Sequence, residues 1–227
     1  MMKLIKLVKT VVQLSVLSIS FVVSSVYAQY SPGVQNEQYI QVSQQIYIAM
    51  YGRPADQSGL IELTNALKNM GAPTDIVAVS QAYDTNYQLR NLIDGYQSSY
   101  EFNYYNSADN GVLITNLYHT LFNRYPDAGG YAYWKSLIDS GSVTRSRLAL
   151  AIMAASMGNS DGNIVGYKTY VATGFTRLID SPSETSAYWA VIRMGLAREW
   201  LAGVGVTTRG YFSQGVENAV LQMDLYY

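Results

Sequence analysis

One short motif occurs twice in this chain of 227 residues, and its second copy lies 71 positions after the first. The first copy contains Tyr47, Arg53, Asp56 and Gly59. The second repeats these residue types in the same register and then continues, as Tyr118, Arg124, Asp127, Gly130, Tyr133 and Trp134. A duplicated helix–turn–helix unit predicts a repeat scaffold before it predicts a catalytic site.

The residue types of the motif match the needs of two helix ends. The tyrosine and its apolar neighbours form a buried helix face, and the arginine after them satisfies free carbonyl groups. The aspartate caps the next helix and can pair with that arginine, while the glycine allows close helix approach. We expect Tyr133 and Trp134 to extend the second copy into the core. The alternative is an Arg–Asp ligand site, but the structural interpretation is favoured.

The first 28 residues resemble a secretory signal peptide, with a basic start and an apolar stretch that leads to Val26-Tyr27-Ala28. We expect cleavage between Ala28 and Gln29, followed by a flexible arm over residues 29–36. The apolar stretch is shorter than the roughly 20 residues of a membrane span, so no transmembrane span is expected after cleavage. The protein should therefore be exported to the extracellular space or cell surface, with the periplasm as the less favoured destination.

Charge and cysteine content limit the classes of partner. Cleavage removes three lysines, which changes the formal charge from −1 to −4. Because nucleic acid requires a basic face, we expect no nucleic-acid partner. The chain has no cysteine, so an exported form must be stabilised by its core, by metal or by assembly instead of disulfides.

Apolar residues recur at helical spacing along most of the chain, which predicts an all-α fold. Asp56 and Asp127 should cap helices that end at Gly71 and Gly141, and Ser142 should start another. Further helices are expected over 37–51, 73–83, 112–122 and 164–178, from Ser181 to Gly203, and from Thr207. The pattern predicts a degenerate first repeat unit (37–105), a second unit (106–160) and C-terminal helices (161–227), in one compact domain or two tightly packed subdomains.

Residues 84–110 are expected to form a polar, aromatic connector. It carries four tyrosines that could contact a glycan, the helices or another copy of the chain, namely Tyr96, Tyr100, Tyr104 and Tyr105. Tyrosine gives a large contact area for little side-chain entropy, so it suits interfaces.

No set of residues identifies a reaction, and we predict no catalytic residues and no enzyme activity. His119 is the only histidine, which makes zinc improbable in a chain without cysteine. No cofactor is required, but calcium is possible at two short turns that contain Asp109 and Asn110, or Asp161 and Asn163. Ordinary Asx turns explain both segments as well, and we favour that explanation.

The second copy has the spacing L-Y-x2-L-x2-R-x-P-D-x2-G-x2-Y-W, which resembles the bacterial family called domain of unknown function 4214. The resemblance covers about residues 38–157. It implies a helical fold like that of phycobilisome linker domains and a secreted or surface-layer setting. The first copy departs from the pattern because Pro54 stands one place early and Glu62-Leu63 replace the Tyr-Trp pair.

These features lead to two functional hypotheses. The first is a secreted structural protein that self-associates into a surface layer, filament or extracellular matrix through tyrosine-rich, charge-poor surfaces. Its main partner would be itself. The alternative is an extracellular module that binds a glycan such as a cell-surface polysaccharide.

Overall fold

The structure, a computed structural model, describes residues 34–106, 109–179, 186, 188 and 191–205. For residues 34–36 and 191–193 it describes the backbone alone. The predicted signal peptide with its cleavage at Ala28–Gln29, the helix start at Ser181 and the helix from Thr207 lie outside the described residues.

The described residues form helices and no strands, which confirms the all-α prediction. In chain order the helices are α1 (Val34–Tyr51), α2 (Gln57–Asn69), α3 (Ile76–Ala82), α4 (Tyr87–Tyr96), α5 (Tyr100–Asn106), α6 (Asn110–Phe122), α7 (Ala128–Asp139), α8 (Arg145–Ala155), α9 (Ser160–Leu178) and α10 (Val191–Ala202). In these ranges, no helix is both long and apolar enough to cross a bilayer.

The chain divides into two units, Met1–Glu37 and Gln38–Tyr227. Of the first unit, only the start of α1 is described. Because α1 begins at Val34, the last three residues of the predicted N-terminal arm are helical, and the arm prediction is wrong there.

Short polar residues start most of the helices by accepting hydrogen bonds from free backbone N–H groups. Asp56 and Asp127 cap α2 and α7 as predicted. The helix predicted from Ser142 starts later, because the Thr144 hydroxyl accepts the hydrogen bond from the Arg147 backbone N–H at 3.1 Å. The capping side chain, and not the first polar residue after Gly141, sets this boundary.

The predicted connector contains two helices, α4 and α5, which is a correction to the sequence analysis. Asn86 caps α4, and Leu89 and Ile93 bury one face of that helix. Phe102 does the same for α5. In α4 the apolar residues Leu89, Leu92, Ile93 and Tyr96 recur at i, i+3, i+4 and i+7, so a helical signal is present in the sequence, whereas α5 has only seven residues.

Helix α6 lies at the centre of the Gln38–Tyr227 unit and packs against α5, α7, α8, α9 and α10. Its buried residues fall at the predicted i, i+4 spacing, and they include Leu113, Leu117, Leu121, Ile114, Tyr118 and Phe122. Because α6 is buried on most of its sides, the packing around it fixes the position of its C-terminal end. The second motif copy begins there.

Candidate functional site

The two motif copies form turns with the same backbone conformation. We call residues 52–59 the first arginine turn and residues 123–130 the second arginine turn. Each begins with a left-handed residue, Gly52 at φ 67° and Asn123 at φ 58°. In each, the aspartate that caps the following helix comes four positions after this residue. The repeat seen in the sequence is therefore a repeat of local structure.

In the first arginine turn, Arg53 forms a two-pronged ion pair with Glu101 from α5. Its Nε donates to Glu101 Oε1 at 2.6 Å, and its Nη2 donates to Oε2 at 2.8 Å. The side chain of Arg53 is only 1% exposed. A buried guanidinium is tolerated when its charge is paired and its N–H groups are hydrogen-bonded, and this geometry provides both.

Tyr188, from a distant part of the chain, also contacts the first arginine turn. Its hydroxyl donates to the Pro54 carbonyl at 2.6 Å and accepts from Arg53 Nη1 at 3.3 Å. Its ring also lies 5.2 Å from the guanidinium carbon. Burial raises the pKa of Tyr188 to about 12 even though Arg53 opposes the shift, so the hydroxyl keeps its proton and remains a donor.

The second arginine turn repeats these contacts with a different carboxylate. Arg124 donates from Nε and Nη2 to the two carboxylate oxygens of Asp161, at 3.0 and 2.7 Å. Its Nη1 donates to the Tyr125 carbonyl at 3.0 Å, as Arg53 Nη1 does to the Pro54 carbonyl at 2.9 Å. Arg124 differs in exposure, because 41% of its side chain remains in solvent.

The motif aspartates act as helix caps more than as partners of the arginines. Asp56 accepts from the Gly59 N–H at 2.9 Å, and Asp127 accepts from the Gly130 N–H at 2.8 Å. That Gly130 contact holds the pKa of Asp127 below its usual value. Asp56 also lies 3.8 Å from Arg53, but both arginines give their forked pair to a carboxylate from a later helix. The predicted Arg–Asp pair within the turn is therefore secondary to the ion pair that each arginine forms with the later helix.

The remaining motif residues seal the contact between the helices of each copy. A Cβ on Gly59 would lie 2.9 Å from Tyr47 Cζ, so this glycine is needed for the close approach. In the second copy the Trp134 indole N–H donates to the Tyr118 hydroxyl at 3.0 Å. Tyr133 is 58% exposed, so the prediction that it enters the core is wrong. Adjacent helix residues point about 100° apart, and only Trp134 faces inward.

Two basic residues that the sequence analysis did not single out hold the helix ends beneath the turns. Arg198 Nε donates to the Tyr51 carbonyl at 2.7 Å, at the end of α1. Lys168 is fully buried, and its ammonium donates to the Thr120 carbonyl and to Asn123 Oδ1. The available signal for Lys168 was its place on the apolar face of α9, between Val165 and Ala172.

The structure divides the four predicted contact tyrosines between the core and the surface. Tyr96 packs against the core, where its ring meets that of Tyr51 edge-on at 5.5 Å. Tyr100 and Tyr104 point outward, and their rings stack at 5.7 Å. Tyr105 is half-buried, with the Arg198 guanidinium directly over its ring. Only Tyr100 and Tyr104 present most of their surface to a partner.

The turns considered for calcium already have structural roles. Asp109 caps α6 by accepting from the Val112 N–H at 2.8 Å, and Asn110 donates to Asp139 at 3.0 Å. Asp161 is the ion-pair partner of Arg124. Asn163 is exposed beside it on α9. Within the described ranges, no three acidic, histidine or cysteine side chains come together as metal ligands.

His119 has an exposed side chain, and the Tyr125 ring lies 6.3 Å from its own ring.

A groove of about 410 Å³ lies beside α3, α7 and α8. Tyr133 and Trp134 form an aromatic wall, with ring centroids 4.8 Å apart, and Leu137 and Leu148 are among its apolar lining residues. Arg147 and Asp84 supply opposite charges, with Arg147 Nη2 3.8 Å from Asp84 Oδ2. We call this feature the aromatic groove.

Residues 93–159 match the model of the family described as a domain of unknown function (DUF4214). The match runs from the end of α4 to the loop before α9, and it includes the second arginine turn but not the first. No curated protein and no solved structure matches the chain. Residues 93–159 therefore resemble the DUF4214 family, which confirms the resemblance inferred from the second motif copy.

Proposed function

We propose that this protein is a non-catalytic structural protein that self-associates at the cell surface or in an extracellular matrix. The observation that carries the proposal is the stacked pair of outward-facing tyrosines on α5. Tyr100 is 76% exposed and Tyr104 is 59% exposed. They lie one helical turn apart, and their ring planes are inclined by 25°.

The outer face of α5 carries aromatic surface without charge. Asn103 is exposed between the two tyrosines, whereas Glu101 turns toward Arg53 and Arg198. Interfaces are enriched in tyrosine and depleted of charged residues at their centre, because burying an unpaired charge is costly. We call Tyr100, Asn103 and Tyr104 the α5 face. A partner that covers it removes apolar area from water without desolvating any charge on the α5 face itself.

The α5 face is also held in place before any partner binds. The Tyr105 ring meets the Tyr104 ring edge-on at 4.9 Å, and the Arg198 guanidinium lies over the Tyr105 ring. Phe102 anchors the same short helix in the core. Association then requires less loss of side-chain freedom, which otherwise costs about 0.5–1.5 kcal/mol per immobilised side chain.

The extracellular location and the lack of catalytic activity are parts of the same proposal. The predicted signal peptide supports export, and a chain without cysteine can gain stability outside the cell by assembly. The best-defined polar cluster, around Arg53 and Glu101, is buried and internally paired. A buried, paired cluster suits a structural role better than substrate binding.

Sedimentation velocity on the chain without its first 28 residues tests the proposal. We expect concentration-dependent association, and we expect Tyr100→Ala/Tyr104→Ala to weaken it at least tenfold. Tyr87→Ala is the matched control, because Tyr87 is 72% exposed and lies on α4, outside the α5 face. A wild-type chain that stays monomeric at all concentrations, in solution and by electron microscopy, would refute self-association.

The aromatic groove supports the second candidate function, glycan binding. Apolar lining residues, an exposed tyrosine and the Arg147–Asp84 ion pair, which has no net charge, suit a polyhydroxylated ligand. The volume of the groove lies within the usual range of ligand pockets. Calorimetric titration with cellotetraose, maltotetraose and chitotetraose tests it. Binding that is lost in Tyr133→Ala and kept in Tyr104→Ala would support this function, and no binding by wild type would remove it.

A further inference from the structure

The two arginine turns differ mainly in what covers them. Both arginines use Nε and Nη2 for a carboxylate and Nη1 for the next carbonyl. Both also lie near two rings of the preceding helix, at 5.4–5.7 Å for Arg53 and 5.0–5.9 Å for Arg124. Tyr188 adds a third ring to the first turn. In the described part of the chain, no third ring covers the second turn.

We infer that a tyrosine from the α5 face of a second copy binds the second arginine turn in the position that Tyr188 occupies on the first. This inference rests on the proposed self-association and names its acceptor surface, which consists of Arg124, the Tyr125 carbonyl and Asp161. Tyr100 and Tyr104 are the tyrosines that the α5 face offers.

The first turn shows why a tyrosine fits this acceptor. The Pro54 carbonyl accepts from both Arg53 Nη1 and the Tyr188 hydroxyl, which uses the two lone pairs of a carbonyl oxygen. The Tyr125 carbonyl accepts from Arg124 Nη1 in the same way, and among the described residues it has no second donor. The aromatic ring would then lie against the exposed guanidinium, an arrangement that is favourable when it is desolvated.

The acceptor is ordered before the tyrosine arrives. Asp161 fixes two nitrogens of the Arg124 guanidinium, and the Tyr118 ring lies 5.0 Å from its central carbon. An arginine that is already positioned loses little freedom on binding. Its charge is also already paired, so the incoming ligand should be a neutral hydrogen-bond donor such as a phenol, and not another carboxylate.

This contact joins two different surfaces, the α5 face of one chain and the second arginine turn of the next. Such a head-to-tail interface is heterologous, and it produces a ring if the rotation closes and an open filament if it does not. The inference therefore predicts the class of assembly as well as the contact.

A mixing experiment on chains without their first 28 residues tests this inference. The donor variant is Tyr100→Ala/Tyr104→Ala, and the acceptor variant is Arg124→Ala. Each variant should associate at least tenfold more weakly than wild type in sedimentation velocity, whereas an equimolar mixture should form a one-to-one dimer, because each contributes the intact surface that the other lacks. Lys135→Ala is the control, since Lys135 is 42% exposed, forms its ion pair with Asp139, and belongs to neither the α5 face nor the acceptor surface.

The other outcomes contradict the inference in distinguishable ways. If Arg124→Ala associates like wild type, the second arginine turn is not the acceptor. Either another surface binds the α5 face, or another part of the same chain covers the turn. If the mixture stays monomeric, the interface does not join these two surfaces. If wild type itself never associates, the proposed function fails as well. A melting temperature of Arg124→Ala equal to that of Tyr100→Ala/Tyr104→Ala, which keeps Arg124 but should also not assemble, would show that a loss of assembly is not a loss of folding.

Discussion

The first and second arginine turns have the same motif and the same pattern of hydrogen bonds, but they lie in opposite environments. Arg53 is 1% exposed beneath Tyr188, whereas 41% of Arg124 faces solvent. The capped turn forms equally well in both places. The motif therefore specifies local structure, and the helices that pack over it decide how much each turn contributes to stability.

The environment also decides the energetic weight of each ion pair. Breaking a buried pair by removing one partner costs about 3–5 kcal/mol, because the other charge stays buried without compensation. A solvent-exposed pair contributes about 0–1 kcal/mol. The first turn should therefore act as a structural anchor, while the second can be altered without unfolding the protein and remains available to a partner.

The largest effect is expected at Arg53. Arg53→Met should lower the free energy of unfolding by about 3–5 kcal/mol, because Glu101 and Asp56 lose the cation between them. Chemical denaturation followed by circular dichroism measures this change. A loss below about 1 kcal/mol would show that the buried turn is not an anchor and would remove the contrast between the two copies.

The next effect concerns pH and the lysine beneath the second turn. Burial lowers the pKa of Lys168 to about 7, although its oxygen acceptors favour the charged form. The unfolded chain then binds more protons than the folded one between pH 7 and 10.5, so stability should rise with pH in that window, by at most about 1.4 kcal/mol per pH unit. Melting curves at pH 6 to 9 should show the rise in wild type and a flat response in Lys168→Met.

The motif glycines should respond according to the packing of each copy. Gly59→Ala places a Cβ against the Tyr47 ring and should cost about 1–3 kcal/mol. Gly130→Ala has one tight contact, with the Tyr118 hydroxyl at 2.9 Å, and gains helix propensity, so it should cost less. Denaturation of the two variants side by side gives the comparison, and equal losses would contradict the difference in packing.

A smaller effect is expected at the cap of the second turn. Asp127→Ala removes the acceptor for the Gly130 N–H and should lower the melting temperature by about 2–4 °C. Asp56→Ala should lower it further, because Asp56 is buried beside Arg53. Calorimetry on both variants checks the order. A variant of Asp127 that melts like wild type but loses a ligand would favour the ligand-site interpretation of the motif.

Much of the fold could be predicted from the sequence because its signals are local. Asp56 and Asp127 mark helix starts within three residues of the bonds they accept, and Gly71 and Gly141 mark helix ends by their positive φ. The sequence prediction missed α4 and α5 because polar residues predominate in this segment, although Leu89, Leu92 and Ile93 keep helical spacing in α4. It assigned Tyr133 to the core together with its neighbour Trp134, although adjacent helix residues point about 100° apart.

The partners of the motif could not be predicted in the same way. Glu101 lies 48 positions after Arg53, and Asp161 lies 37 positions after Arg124, so neither spacing nor order identifies them. Tyr188 is still more distant, at 134 positions from Pro54. The two turns share the arginine, the aspartate and the glycine of the motif, and their exposure depends on tertiary packing that no local pattern encodes.

The most direct test of the account is a matched pair of variants, Arg53→Met and Arg124→Met, measured for both unfolding and association. We expect Arg53→Met to lose about 3–5 kcal/mol of stability. We expect Arg124→Met to lose about 1 kcal/mol or less while its association in sedimentation velocity weakens at least tenfold. If the two variants lose equal stability, or if Arg124→Met assembles like wild type, the division into a buried anchor and an exposed acceptor is wrong.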